Sequence, residues 1–239
     1  MYDYLLFIDT ETSGLPKDWS APYSKEGNWP YAVQVAWIIY TKEKKEVKRA
    51  NHYINNNDFS IAPSALKIHG LTADFIAKNG ESREKVMALL AEDLKQYQPL
   101  VIGHFMKFDF HVAGAEFYRA RMENPIKVLP TFCTMLTTTN LVKNPQKKYL
   151  RLCDLYEQLF ATPLRQQHDA MADAEATAAC FFELVEQNYI NDTTIAAQQE
   201  SLKKLNQTVT VNKNWILPTL LILLTLIIAF LIWKARFNF

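Results

Sequence analysis

The chain has little cysteine and no excess of charge of either sign. Its three cysteines, Cys133, Cys153 and Cys180, form no CxxC pair and leave an odd count. That pattern suits a reducing compartment, and each is read as a small core residue. The net charge is +1, and residues 1–189 alone hold 21 Lys and Arg against 23 Asp and Glu, a net of −2. A polybasic wrapper of duplex nucleic acid is thereby excluded. The start, Met1-Tyr2-Asp3-Tyr4, lacks a basic segment, and Asp9 and Glu11 interrupt the first apolar run, so a cleaved signal peptide is not expected. There is no internal repeat. Hydrophobic residues make up 49% of the 239 and charged residues 21%, enough apolar material for a core and room for one ordinary domain plus an appendage.

What the chain does have is one organising stretch, Phe7-Ile8-Asp9-Thr10-Glu11-Thr12-Ser13-Gly14-Leu15-Pro16. The apolar run Tyr4 to Ile8 reads as a buried strand that stops at the Ser-Gly-Leu-Pro turn signal. Side chains two apart on a strand share a face, so Asp9 and Glu11 point the same way and repel. A cation between them relieves that cost, and hard oxygen ligands favour magnesium or manganese. The alternative is a solvated strand end with two surface acids.

A long loop follows, about Ser13 to Pro30, with Trp19, Tyr23 and Trp29. Loops of this length in a compact domain are often functional. Tyr31 to Tyr40 reads as a central strand and Val47 to Ile54 as a more exposed one, completing a three-stranded meander. Thr72 to Ala77 suits a short helix capped by Thr72, and Ser82 opens a longer one. Pro99 to Gly103 is a short buried strand. A helix is expected from Phe108 to about Met122, a strand over Val128 to Cys133, an amphipathic helix over Tyr149 to Phe160, and an Ala-rich helix from Ala170 to Asn188, with Asp169 as its cap. Strands followed by alternating helices and strands argue an α/β domain with a mixed sheet.

Residues 190–214 are polar and read as a linker with helical character around Ile195 to Leu205, reaching about 25–30 Å if flexible. Residues 215–233 carry no charge over 19 positions between Trp215 and Trp233. As a helix they would span about 28 Å, so a single transmembrane anchor is expected, followed by a short tail, 234–239. A buried core helix is the alternative. Lys203, Lys204 and Lys213 before the span and Lys234 and Arg236 after it set no orientation.

Further candidates join Asp9 and Glu11. Asp109 stands at a strand-to-helix junction, where α/β sites form. Asp173 belongs to the first turn of the last helix, and His168 lies five residues before it. Here the chain resembles a known family. The stretch from Phe7 to Pro16 is similar to the first motif of the DEDDh 3′–5′ exonucleases, which include the proofreading subunit of bacterial DNA polymerase III. The segment Gly103 to Asp109 resembles the second motif and His168 to Ala174 the third. The likeness spans residues 4 to about 188.

The resemblance implies a ribonuclease H-like fold, a five-stranded mixed sheet flanked by helices, over a domain 1–189. It implies Asp9, Glu11, Asp109 and Asp173 as ligands of two Mg²⁺ or Mn²⁺ ions and His168 as general base. It also suggests contacts to the terminal nucleotide from Thr12, Gly14, Leu15 and His69. Two metals about 3.5–4 Å apart supply a nucleophile at neutral pH and stabilise the leaving oxygen. A His with a pKa near about 6.5 accepts the water's proton. One position departs: members commonly carry Asn after the His of the second motif, and Phe105 stands there. Phe105 either stacks on a base or packs as a core aromatic. His52, His104 and His111 are read as structural, and Lys147, Lys148 and Arg151 as a solvated helix face.

The expected function is metal-dependent 3′–5′ exonuclease action on single-stranded 3′ ends, DNA favoured, releasing nucleoside 5′-monophosphates. The catalytic domain is expected to be tethered to a membrane by residues 215–233 and to face the cytoplasm. The alternatives are an exoribonuclease on RNA or short oligoribonucleotides, and a non-catalytic anchored nucleic-acid-binding module, which predicts a broken ligand position where none is found.

Overall fold

The structure, a computed structural model, describes residues 2–55 and 58–201. The chain divides into two compact units, 1–195 and 196–239. Of the second, only 196–201 are described, and they are helical. The expected span 215–233 lies outside the described residues, among which no helix is long and apolar enough to cross a membrane.

The first unit is built on five strands: β1 (Tyr4–Thr12), β2 (Ala32–Thr41), β3 (Glu46–Tyr53), β4 (Leu100–Gly103) and β5 (Thr131–Cys133), in the order β3-β2-β1-β4-β5. β1 pairs antiparallel with β2 and parallel with β4, giving the mixed sheet that the strand pattern implied. β1 and β4 read as continuous apolar runs because helices cover both faces. β3, with Lys48 and Arg49, is a charged edge. β5 is shorter than the strand expected over 128–133, because Pro125–Val128 form a 3₁₀ turn and leave Val128 exposed.

The named helices up to residue 186 are α1 (Pro63–His69), α2 (Ala73–Asn79), α3 (Arg83–Tyr97), α4 (Met106–Arg119), α5 (Thr134–Thr137), α6 (Leu152–Phe160) and α7 (Ala170–Glu186). Thr72 and Ser82 cap α2 and α3 through their side chains, and Asp169 accepts from the amides of Met171 and Ala172. α1 has no counterpart in the sequence reading. Seven residues show no period, but Pro63 opens it and Gly70, at φ 71°, ends it in the left-handed region. α4 starts two residues before Phe108 and ends at Arg119, and α6 starts at Leu152, not Tyr149.

The period of two on β1 splits the core. Leu6 and Ile8 pack with Val86 and Leu90 of α3 and Val112 and Phe117 of α4. Leu5 and Phe7 pack with Leu155 of α6 and Phe181 and Leu184 of α7. Ile190 and Ile195, 1% and 3% exposed, join the second face, so packing continues past residue 189. Cys133 and Cys180 are buried as expected, whereas Cys153 is partly exposed at the start of α6. The loop after β1 is closed at its neck: the Ser13 amide donates to the Tyr31 carbonyl (2.8 Å) and the Tyr31 amide to Ser13 Oγ (2.9 Å).

Candidate active site

The site forms where β1 outlasts a neighbour. Phe7 is level with Ile102 of β4, which ends at Gly103, so Asp9 to Thr12 run beyond it while still paired with β2. Asp9 and Glu11 continue the row of Leu5 and Phe7 toward the α7 face. Thr10 points the other way, and its Oγ1 donates to Asp109 Oδ1 at 2.8 Å. The turn from β4 into α4 puts Asp109, 3% exposed, in the first helical turn. His104 in that turn is structural, as expected. It is buried, with Nδ1 at 3.0 Å from Thr134 Oγ1 and Nε2 at 3.0 Å from the Leu150 carbonyl.

α7 delivers the remaining groups. Glu11, His168 and Asp173 bring ligand atoms within 4.8 Å of one another. The His168 amide donates to Asp173 Oδ2 at 3.2 Å. His168 is exposed and has φ 66°, with Gln166 at 54°, so the segment carrying the imidazole holds two side-chain-bearing residues in the left-handed region. A cavity of about 420 Å³ lies behind this segment, lined by Tyr156, Arg165, Gln166, Ala172 and Glu175 among others. None of the expected ligands lines it.

All four carboxylates act on one another. Burial and then the charges of Asp109, Asp173, Glu11 and Asp169 push Asp9 well above the usual carboxylate range. Glu11 is pushed up to about 8 by burial and then by Asp173, Asp109 and Asp169. Burial raises Asp109 to about 7 against the lowering effect of the Thr10 hydroxyl, and raises Asp173 to about 6 against that of the His168 amide. Four acids that resist ionising together, with no Lys or Arg among those influences, fit a cation site. One atom supports this directly: Asp173 Oδ1 is buried without a hydrogen-bond partner. The oxygen-only carboxylate set suits a hard divalent ion.

The residues suggested for substrate contact begin in the turn that follows Glu11. Thr12 Oγ1 donates to the Gly14 carbonyl at 2.7 Å, a turn that leaves Leu15 78% exposed. His69 is not a loop residue but the last of α1. Its Nδ1 accepts from the Leu71 amide at 3.0 Å, which leaves the buried Nε2 as the ring nitrogen that faces the Thr12 backbone. Burial lowers its pKa, the Thr12 backbone raises it and His168 lowers it, so His69 sits on the Thr12 side of the site. Phe105 is 43% exposed, which corrects the reading of it as a core aromatic.

Gln34 was missed by sequence reasoning. It is fully buried, opposite Glu11 in the β1–β2 register. Its Nε2 donates to Asn51 Oδ1 (2.9 Å) and Asp169 Oδ2 (3.0 Å), and its Oε1 accepts from the Ala170 amide (3.2 Å). Gln34 thus fastens the start of α7 to β2. The available signal was a lone amide in an otherwise apolar central strand.

Residues 6–181 match the RNase_T family, described as Exonuclease. The chain belongs to this exonuclease family. By family it is an exonuclease, a hydrolase of phosphodiester bonds, and the family depends on divalent metal. Three similar solved structures show the fold of this exonuclease domain. One, of exonuclease I, has a TM-score of 0.62 at 20% identity, over 76% of this chain and 40% of that one. E. coli exonuclease I in complex with a dT13 oligonucleotide gives 0.62 at 22%, over 77% and 41%. The zinc-bound E. coli ExoI–ssDNA complex gives 0.64 at 20%, over 81% and 42%. The chain thus spans about two fifths of the length of the structures it matches. No curated protein matches it.

Proposed function

We propose that the domain removes nucleotides from the 3′ end of single-stranded nucleic acid, DNA in preference, as nucleoside 5′-monophosphates. The observation that carries this is that Glu11, His168 and Asp173 bring ligand atoms within 4.8 Å of one another while the charges of Asp109 and Asp173 act on both Asp9 and Glu11. The likeness to exonuclease I bound to oligonucleotides supports the choice of substrate.

Asp9, Glu11, Asp109 and Asp173 would hold two Mg²⁺ or Mn²⁺ ions, which when bound neutralise the phosphate and acidify the attacking water. Thr10 fixes the Asp109 carboxylate, and the His168 amide fixes that of Asp173. His168, exposed and beside Glu11 and Asp173, accepts the proton of the attacking water. Leu15, Thr12, Gly14 and His69 line the approach of the terminal nucleotide. Residues 215–233 form the membrane anchor, with the catalytic domain on the cytoplasmic side.

The test is the full chain with Mg²⁺ on 3′-labelled and 5′-labelled oligonucleotides of DNA and RNA. Mononucleotides should leave from the 3′ end, faster from DNA, and Asp9→Ala should abolish release. Release that survives Asp9→Ala, or none from the wild type, refutes the assignment. Protease added to sealed vesicles should leave the domain intact; its digestion from outside would overturn the orientation.

A further inference from the structure

Phe105 is an odd residue to leave in water. It is the N-cap of α4, makes no side-chain cap hydrogen bond, and is 43% exposed. Its ring is 15° from parallel with Phe108 at a centroid distance of 6.2 Å and lies 5.7 Å from Trp19. Trp19, half-buried, meets Trp29 edge-on at 6.0 Å. Trp29 is 2% exposed, stacks on His111 at 4.7 Å, and donates its Nε1–H to the Ala21 carbonyl. Phe105 and Trp19 are therefore the outer end of an aromatic stack whose inner end is locked in the fold. The long loop after β1 supplies the tryptophans and α4 the rest.

Two further facts give this surface a ligand. Lys107 holds its Nζ 5.1 Å over the Trp19 ring, so one cation caps a face of Trp19 beside the exposed Phe105. Asp109 is four residues after Phe105 on the same helix start, about 6 Å along its axis, so α4 fixes the stack relative to the carboxylates. A single nucleic-acid strand presents flat bases beside phosphates, which matches aromatic faces beside an ammonium group. A duplex keeps its internal base faces stacked on each other and offers only the outer face of its terminal pair, whose two bases are held together. Residues 1–189 carry a net charge of −2, so no overall excess of positive charge draws the strand in.

We infer that Phe105 and Trp19 form a stacking platform for one unpaired nucleobase near the cleaved end, with Lys107 meeting an adjacent phosphate. This rests on the substrate assignment above and adds where the strand is held and why it must be single. Stacking takes any base, so the platform confers selection for unpaired ends without selection of sequence.

The experiment scans an abasic site through the four 3′-terminal nucleotides of a labelled 12-mer, with full-length wild type, Phe105→Ala, Phe105→Leu and Phe105→Trp. Binding is read by fluorescence anisotropy with Ca²⁺ and nucleotide release separately with Mg²⁺. At one position the abasic strand should bind wild type about 10-fold more weakly than the intact strand. Phe105→Ala and Phe105→Leu should bind the intact strand about that much more weakly and ignore the abasic site, while Phe105→Trp retains the wild-type pattern. A flat scan with wild type, losses that add instead of coinciding, or Phe105→Leu binding like wild type would overturn the platform. Absence of nucleotide release by wild type would instead sink the exonuclease assignment, and the binding scan would still decide the platform.

Discussion

Glu116 and Glu11 are both acids inside the fold, 0% and 8% exposed, but their surroundings are opposite. Glu116 sits between Arg83 and Arg119 and also accepts the Ala32 amide at 3.2 Å. Asp93, another fully buried acid, accepts from Lys48 at 2.6 Å and from the Trp37 indole at 2.8 Å. Each of these charges was neutralised when the chain folded. Glu11 faces three other acids, and what surrounds it raises its pKa to about 8. Burial alone therefore does not distinguish a structural acid from a functional one. The sign of the neighbouring charge does, because an unneutralised buried carboxylate persists only if something outside the chain supplies the cation.

The largest test of this contrast is Asp9→Asn. Its loss should lower nucleotide release on the order of 10³-fold or more, since grouped catalytic residues fail as a unit. The same change should leave the metal-free melting temperature equal or higher, because it removes repulsion; a clear drop would make Asp9 structural. Next is Glu116→Ala, which strips the charge between the buried Arg83 guanidinium and the partly buried one of Arg119. Chemical denaturation should show a loss of about 3–5 kcal/mol, and a loss below about 1 kcal/mol would dissolve the distinction.

The third test is pH. Glu11 at about 8, Asp109 at about 7 and Asp173 at about 6 all lie above their ordinary values of 4.5, 3.8 and 3.8. A raised folded-state pKa favours the fold below the unfolded value and loses that contribution as pH climbs through the folded one. The melting temperature of metal-free protein should therefore fall between about pH 4 and 8. Added Mg²⁺ should restore more at pH 8 than at pH 5, since metal and protons compete for the same oxygens. A flat metal-free profile would mean that the four charges coexist without cost. The smallest effect is expected for Gln34→Leu, which leaves Asp169 and the Ala170 amide without their buried partner. A loss of about 1–3 kcal/mol is expected, with release slowed about 10-fold. Unchanged release would show that α7 is held without it.

Much of the site was legible because each piece has a local signature. Asp9 and Glu11 show the strand period, Asp109 follows a buried strand at a turn, and Asp169 and Asp173 open an Ala-rich helix with a cap. α1 was not legible, since seven residues flanked by Pro63 and Gly70 display punctuation but no period. The exposure of Phe105 was not legible either. An aromatic beside a buried strand reads as core, and only the packing of Trp19 and Phe108 against it shows a ring left facing outward.

By itself the sequence determined which acids were available, which elements carry them and that the sheet is mixed, because periodicity and capping are properties of neighbours in the chain. Tertiary structure alone decided that β4 stops short beside β1, that Gln34 ties α7 to β2, and that among the described residues no Lys or Arg acts on the four carboxylates while Arg83 and Arg119 reach Glu116. Those outcomes depend on register and on contacts between residues tens of positions apart, and no local pattern encodes the charge that a distant segment brings.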